Sequence, residues 1–97
     1  MLVLVNSRVC PGVSRDQVID HFTSGVERRT WDLIRRGVIV HWFFKVGDHP
    51  GVIAVLNCDS VEEARAVVGR APVVTKGLVT FEFEPIDHFP NFPDQTR

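Results

Sequence analysis

Apolar residues recur along the chain at spacings that predict four β-strands and two α-helices. Strands are expected where short apolar or alternating runs occur, because neighbouring side chains of a strand point to opposite faces; such runs cover residues 1–5, 38–47, 52–57 and 78–86. Helices are expected over residues 14–37 and 59–70, since each segment begins with a capping-box spacing and carries an apolar stripe. The stripe of the first helix consists of Ile19, Phe22, Val26 and Leu33, with Val18 and Ile34 as further candidates. Gly25 weakens the middle of this helix, where it could mark close packing or a small kink. The predicted order is βαββαβ.

This order predicts the ferredoxin-like α+β fold, in which two helices pack on one face of a four-stranded antiparallel sheet. The second strand is apolar on both faces. One face would hold Val38, Val40, Trp42, Phe44 and Val46, and the other Ile39, His41, Phe43 and Lys45. Because two helices cover only one face, we expect two copies of the chain to pack their open sheet faces together as a dimeric α+β barrel.

The length of the chain bounds its organisation. A chain of 97 residues supports one modest core, so a single domain is expected over residues 1–97, with its core within residues 1–86. Residues 87–97 are irregular but carry phenylalanines and prolines. We expect this tail to pack on the partner subunit.

Charge and composition narrow the possible partners. The 11 Lys and Arg residues against 12 Asp and Glu residues give a net charge of -1, which disfavours nucleic acid and anionic membranes as partners. No signal peptide or apolar run long enough for a membrane span is evident, so a cytoplasmic protein is predicted. Cys10 and Cys58 form no CxxC pair, and the four histidines lack metal-ligand spacing, so we expect reduced thiols and no metal site.

No recognised catalytic motif occurs in the chain, so any active site must be assembled in space. His41 is the leading candidate, because an imidazole held among apolar neighbours such as Ile39 and Phe43 suits proton transfer near neutral pH. A neutral histidine hydrogen-bonded at a subunit interface explains the same pattern equally well. The full candidate set has His41, Lys45, Glu82, Asp87 and His88 as catalytic residues and Trp42, Phe43, Phe44 and His21 around the substrate.

Some of these candidates also have simpler interpretations. Glu82 and Glu84 share one strand face, where one of them could act as an acid, or both could face solvent on an edge strand. His21 lies on the first helix, where it could be a surface residue. These alternatives stay open at the level of sequence.

Residues 37–47, 51–72 and 81–90 resemble the muconolactone delta-isomerase family. The positions that fit the outline of that family are His41, Ser60, Glu63, Pro72, Pro85, Ile86 and His88. The resemblance implies a ferredoxin-like subunit, paired sheets in a dimeric α+β barrel, often larger rings, and cofactor-free proton transfer on a small unsaturated lactone. The chain departs from the family at Val40 and Phe44, where polar or basic residues are expected, so a carboxylate substrate would lose its charge partner there.

The resulting hypothesis is a cofactor-free isomerase or cyclase that shifts a proton on a small unsaturated lactone or aromatic metabolite in an apolar pocket. His41 would be the general acid and base, oriented by Glu82 or Asp87, and Lys45 would stabilise an enolate-like oxygen. One alternative is a cofactor-independent oxygenase of the same superfold that acts on aromatic polyketide-like substrates. Another is a non-catalytic ligand-binding or assembly subunit.

Overall fold

The computed structural model describes residues 1–25 and 28–90. Within them the elements follow the order β1 (Leu2–Val9), α1 (Arg15–Thr23), α2 (Arg28–Arg35), β2 (Ile39–Lys45), β3 (Gly51–Asn57), α3 (Val61–Gly69), α4 (Pro72–Thr75) and β4 (Val79–Ile86). Two parts of the predictions, Val26 of the first apolar stripe and residues 91–97 of the tail, lie outside the described residues. None of the described helices is long and apolar enough to cross a membrane.

The four described strands form one antiparallel sheet in the order β2-β3-β1-β4. β1 lies inside the sheet, where Val5 is opposite Ala54 of β3 and Phe83 of β4. β2 and β4 are the two edges. This arrangement confirms the predicted ferredoxin-like α+β fold.

The core lies between the sheet and the helices. Val3 and Val5 of β1 pack with Leu56 of β3 and Ala64 of α3. A second cluster joins α1, α4 and β4 and consists of Val18, Val73 and Val79. All helices described therefore contribute to one side of the sheet or its end, and the other side has no helix over it.

β1 continues beyond its predicted end, because two polar residues are accommodated within the strand. Ser7 is fully buried, and its hydroxyl oxygen accepts a hydrogen bond of 2.9 Å from the backbone N–H of Val52. Gly51 lies beside this hydroxyl, and a Cβ there would collide with Ser7 Oγ. Asn6, on the opposite face, is also part of the strand. The predicted strand covered residues 1–5 and stopped before Asn6 and Ser7, but the buried hydrogen bond of Ser7 allows it to continue.

The single helix predicted over residues 14–37 is wrong, because the structure has two helices there. α1 begins with the predicted capping box between Ser14 and Gln17. It ends where the hydroxyls of Thr23 and Ser24 donate to the backbone carbonyls of Ile19 and His21, and Gly25 then adopts a positive φ of 133°. Glycine tolerates this conformation, whereas an α-helix cannot contain it. The chain therefore changes direction before α2 begins.

The predicted alternation along β2 is interrupted by a β-bulge between Ile39 and His41. Ile39 pairs with Leu56, and His41 pairs with Val55, so two residues separate partners that are adjacent in β3. The bulge places Ile39 in the core with the helices. Grouping Ile39 with His41 on one face was therefore wrong, since a bulge inserts one residue into the alternation.

Candidate functional site

A cavity of about 110 Å³ lies between the helices and the sheet. Its floor comes from all four strands, chiefly β2 and β3, and its walls come from α1, α2, α3 and α4. The apolar lining includes Phe22, Leu33, Ile39, Val52, Leu56 and Val68. An apolar cavity of roughly 150 Å³ takes up benzene, so this one suits a single small ring after a slight widening.

α2 is the wall that can widen the cavity most easily. None of its residues is buried, although Thr30 and Leu33 face the cavity. Its N-terminal part is joined to α3 by a hydrogen bond from the Arg29 guanidinium (Nη2) to the backbone carbonyl of Val67. Elements with few buried side chains move at low free-energy cost.

Four side chains bring polar groups to this mostly apolar space. α1 contributes His21 from its last turn, and the imidazole meets the ring of Phe22 edge-on at 5.4 Å between centroids. α2 contributes Arg29 and Thr30, and β2 contributes Trp42 from the sheet side of the cavity. An apolar cavity with a few converging polar groups is the usual form of a small-molecule site.

Two of these polar residues, Arg29 and Thr30, were not among the sequence candidates. They precede Leu33 by four and three residues, and such spacings share one face of a helix. Leu33 belonged to the predicted apolar stripe, so its neighbours on the same helix face could have been recognised as cavity residues. The prediction treated residues 14–37 as one continuous helix, whereas the helix ends before Gly25. Face assignments made from α1 therefore do not apply to α2.

His41 lies on the open face of the sheet, away from the cavity. It is exposed and stacks on Phe43, with ring centroids 6.2 Å apart and an interplanar angle of 10°. The register continues from His41 to Val55, then to Leu4 and Glu84. Three strand spacings amount to about 14 Å. The subunit therefore does not bring His41 together with Glu82 or Glu84 of the opposite edge strand.

Lys45 and Glu82, in contrast, belong to one polar cluster on the open face, together with Asn6 and Arg8. The Lys45 ammonium donates hydrogen bonds of 3.0 Å to Asn6 Oδ1 and 2.6 Å to the backbone carbonyl of Ser7. Arg8 and Glu82 form an ion pair of 2.9 Å. Partial burial and the Arg8 charge lower the pKa of Lys45 from its ordinary value, while the Glu82 charge opposes them.

Asp87 and His88 lie beyond β4, beside Met1 and Leu2 at the end of the sheet. Both are exposed, and the Asp87 carboxylate accepts a hydrogen bond of 2.7 Å from the backbone N–H of His88. This hydrogen bond joins two residues that are adjacent in sequence. Neither residue lines the cavity between the helices and the sheet.

The predicted site residues thus separate into three places. His21 and Trp42 line the cavity, and Phe44 packs on Phe22 of the cavity wall at 5.9 Å between ring centroids. His41, Phe43, Lys45 and Glu82 occupy the open face, while Asp87 and His88 are at its end.

The two cysteines are free thiols. Cys58 is buried, and burial followed by the nearby Glu63 charge raises the pKa of its thiol, which disfavours the nucleophilic thiolate. Cys10 is half-buried. Within residues 1–25 and 28–90, no three His, Cys, Asp or Glu side chains are grouped as a metal site would require.

Comparisons with known proteins identify a structural relative. No protein-family model matches the chain, and no curated protein sequence matches it. Among solved structures, the chain is similar to 5-chloro-2-hydroxyhydroquinone dehydrochlorinase (TftG) from Burkholderia phenoliruptrix AC1100 in complex with 2,5-dihydroxybenzoquinone. The TM-score is 0.67 and the sequence identity 20%, over 92% of this chain and 96% of the other. The likeness confirms the fold without singling out the muconolactone delta-isomerase family.

Proposed function

We propose that this chain is a cofactor-free enzyme that transfers a proton on a small, planar, unsaturated ring held between the helices and the sheet. The observation that carries the proposal is the apolar cavity, because a slight widening would fit one ring and a few polar residues are among its lining. The structural relative is a dehydrochlorinase whose complex contains 2,5-dihydroxybenzoquinone, a ring of this size. It supports a small-molecule reaction in this fold.

His21 is the proposed acid and base. Its imidazole lines the cavity, and the edge-on contact with Phe22 restricts its orientation. In an isomerisation, His21 would take a proton from one ring atom and return it to another, so the reaction needs no other reactant. A positioned imidazole typically accelerates such a step by about 10²- to 10⁴-fold.

Thr30 and Trp42 are the proposed donors to the oxygen that becomes enolate-like when the ring loses its proton. Both residues line the cavity, and a hydroxyl and an indole N–H are hydrogen-bond donors. In a space from which the surrounding apolar side chains exclude water, such donors stabilise a developing negative charge more strongly than they would in water.

The open face of the sheet has a different role in this proposal, namely association of two copies of the chain. Phe43 is 59% exposed there, and its register partner on the neighbouring strand β3 is Ile53. Since His41 stacks on Phe43, it belongs to this surface, and of its two interpretations we adopt the interface histidine. Its catalytic role would require a ligand on the open face.

Exchange of a ring hydrogen for deuterium tests the proposed reaction. The probe is 2,5-dihydroxybenzoquinone in D₂O, followed by loss of its ring C–H signal in NMR spectra. Exchange needs one proton added to a ring carbon and one removed, which is the step assigned to His21. We expect His21→Gln to slow exchange by at least about 10²-fold. His49→Gln, in the exposed loop before β3, should exchange at the wild-type rate.

Three outcomes would contradict the proposal in distinct ways. Exchange no faster than in buffer with the wild-type protein would contradict the proposed reaction, and equal rates for the two histidine variants would remove His21 from the mechanism. Turnover that stops under anaerobic conditions would favour the oxygenase alternative. Tight binding without exchange would favour a non-catalytic ligand-binding subunit.

A further inference from the structure

Arg29 is a half-buried cation at the wall of the cavity, and its hydrogen-bond partner is neutral. Its guanidinium donates to the backbone carbonyl of Val67. The ion pairs formed by described residues join Arg8 with Glu82 and Arg35 with Asp32, so none of them involves Arg29. A charged group beside apolar surfaces is costly unless an opposite charge compensates it. A ligand with an anionic group would supply that charge.

The other polar groups of the cavity point to the same kind of ligand. Thr30 and Trp42 line the cavity with Arg29, and their side chains carry a hydroxyl and an indole N–H. Among the described residues that line the cavity, none is an aspartate or a glutamate. A site that combines a guanidinium with several neutral donors recognises acceptor oxygens, and it recognises ionised ones best.

We propose that Arg29 determines the specificity of the cavity by selecting planar rings that carry an anionic oxygen, such as a carboxylate or an ionised hydroxyl. The inference rests on the proposed function, since it names the ligand class of that same cavity. The hydrogen bond to Val67 holds the guanidinium beside the cavity while other N–H groups of the fork remain available to a ligand oxygen. The same bond joins α2 to α3, so a ligand that engages Arg29 also contacts the helix that forms the adjustable wall.

A matched pair of rings tests this selectivity. Hydroquinone and 2,5-dihydroxybenzoate share the same dihydroxylated ring, but only the second carries a carboxylate. Calorimetric titration at neutral pH should give the wild-type protein an affinity for 2,5-dihydroxybenzoate about 10- to 100-fold higher than that for hydroquinone, the range typical of a charge-assisted hydrogen bond. Arg29→Met should remove this preference and leave the affinity for hydroquinone within about twofold, because methionine keeps the apolar stem and loses the charge.

Two control variants separate the effect of this residue from general charge and from folding. Arg28→Met removes an equal charge from the neighbouring exposed position, outside the cavity lining, and should keep the full preference. Arg29→Lys keeps the charge without the planar fork and should retain a reduced preference. If Arg29→Met fails to fold, the wild-type preference and its reduction in Arg29→Lys still decide the matter.

The possible failures are distinguishable. Equal affinity of the wild-type protein for the two rings, or an undiminished preference in Arg29→Met, would overturn the role of Arg29 while the cavity remains a ring-binding site. Failure of both rings to bind would overturn the selectivity and the proposed ligand site together. An equal loss of preference in Arg28→Met and Arg29→Met would show that net charge outside the cavity attracts the carboxylate, and it would also overturn the proposal.

Discussion

The two faces of the sheet have contrasting surfaces, although they are built from the same strands. On the helix-covered face, Val3 is fully buried, Leu56 is 2% exposed, and the side chains line a partly open cavity. On the open face, Phe43 is 59% exposed and stacks on an exposed histidine. Burial strengthens electrostatic interactions and excludes water, whereas exposed apolar area favours association. This contrast is the basis on which we propose ligand chemistry for one face and contacts between subunits for the other.

Two adjacent phenylalanines show how the alternation of a strand produces this contrast. Phe44 faces the helices and meets Phe22, whereas Phe43 faces the open side. Their residue types are identical, so the difference comes only from the side of the backbone on which each ring lies. A substitution at either position should therefore affect a different property of the protein.

Placing a charge on the open face should have the largest effect of the three predictions that follow. Phe43→Glu would bury a carboxylate in the proposed interface, so we expect the dissociation constant of the dimer to rise by more than about 30-fold. Sedimentation velocity across a micromolar concentration series measures this change. The fold should persist, because Phe43 lies outside the core.

The matched control for this variant is an exposed aromatic residue on α2. Trp31 is 48% exposed and lies on the helix side, so Trp31→Glu should leave the dissociation constant unchanged. If the wild-type protein sediments as a stable monomer at micromolar concentration, the open face is not an interface and the contrast between the faces needs another explanation.

The sequence predicted the covered face better than it predicted the site. Strand order and helix side follow from apolar periodicity, because each pattern is local and repeats over several residues. The bulge after Ile39 depends on how β2 pairs with β3, and the turn at Gly25 depends on side-chain hydrogen bonds to the end of α1. Neither the bulge nor the turn can be recognised from the periodicity of apolar residues. His41 has apolar neighbours in sequence, but the bulge separates it from Ile39 in space.

A second pair of adjacent residues, Asn6 and Ser7, allows the two faces to be compared by their contributions to the free energy of unfolding. Ser7→Ala removes the acceptor for the buried Val52 N–H, so we expect the free energy of unfolding to fall by about 1–3 kcal/mol. Asn6→Ala, on the open face, removes a partly exposed contact with Lys45 and should cost less than about 1 kcal/mol. Urea denaturation of both variants measures the two changes. Equal losses would mean that the two faces are equally protected from water.

The smallest expected effect is the pKa shift of Lys45. This residue is partly buried, so the open face is not equally exposed to solvent along its length. Its pKa is lowered by partial burial and by the Arg8 charge, against the opposing charge of Glu82. Between this lowered pKa and the ordinary value of 10.5, the unfolded chain binds more protons at Lys45 than the folded protein does. The contribution of Lys45 to the free energy of unfolding therefore rises with pH through that interval. Titration of ¹³C-methylated lysines by NMR measures the pKa directly, and Lys76→Arg assigns the signal.

Two charge variants test the cause of this shift in opposite directions. Arg8→Met removes a repelling cation, so the pKa of Lys45 should rise, whereas Glu82→Gln removes an attracting anion, so it should fall further. A pKa of Lys45 that stays the same in Arg8→Met and in Glu82→Gln would show that neither charge contributes to the shift, and burial alone would then be its cause.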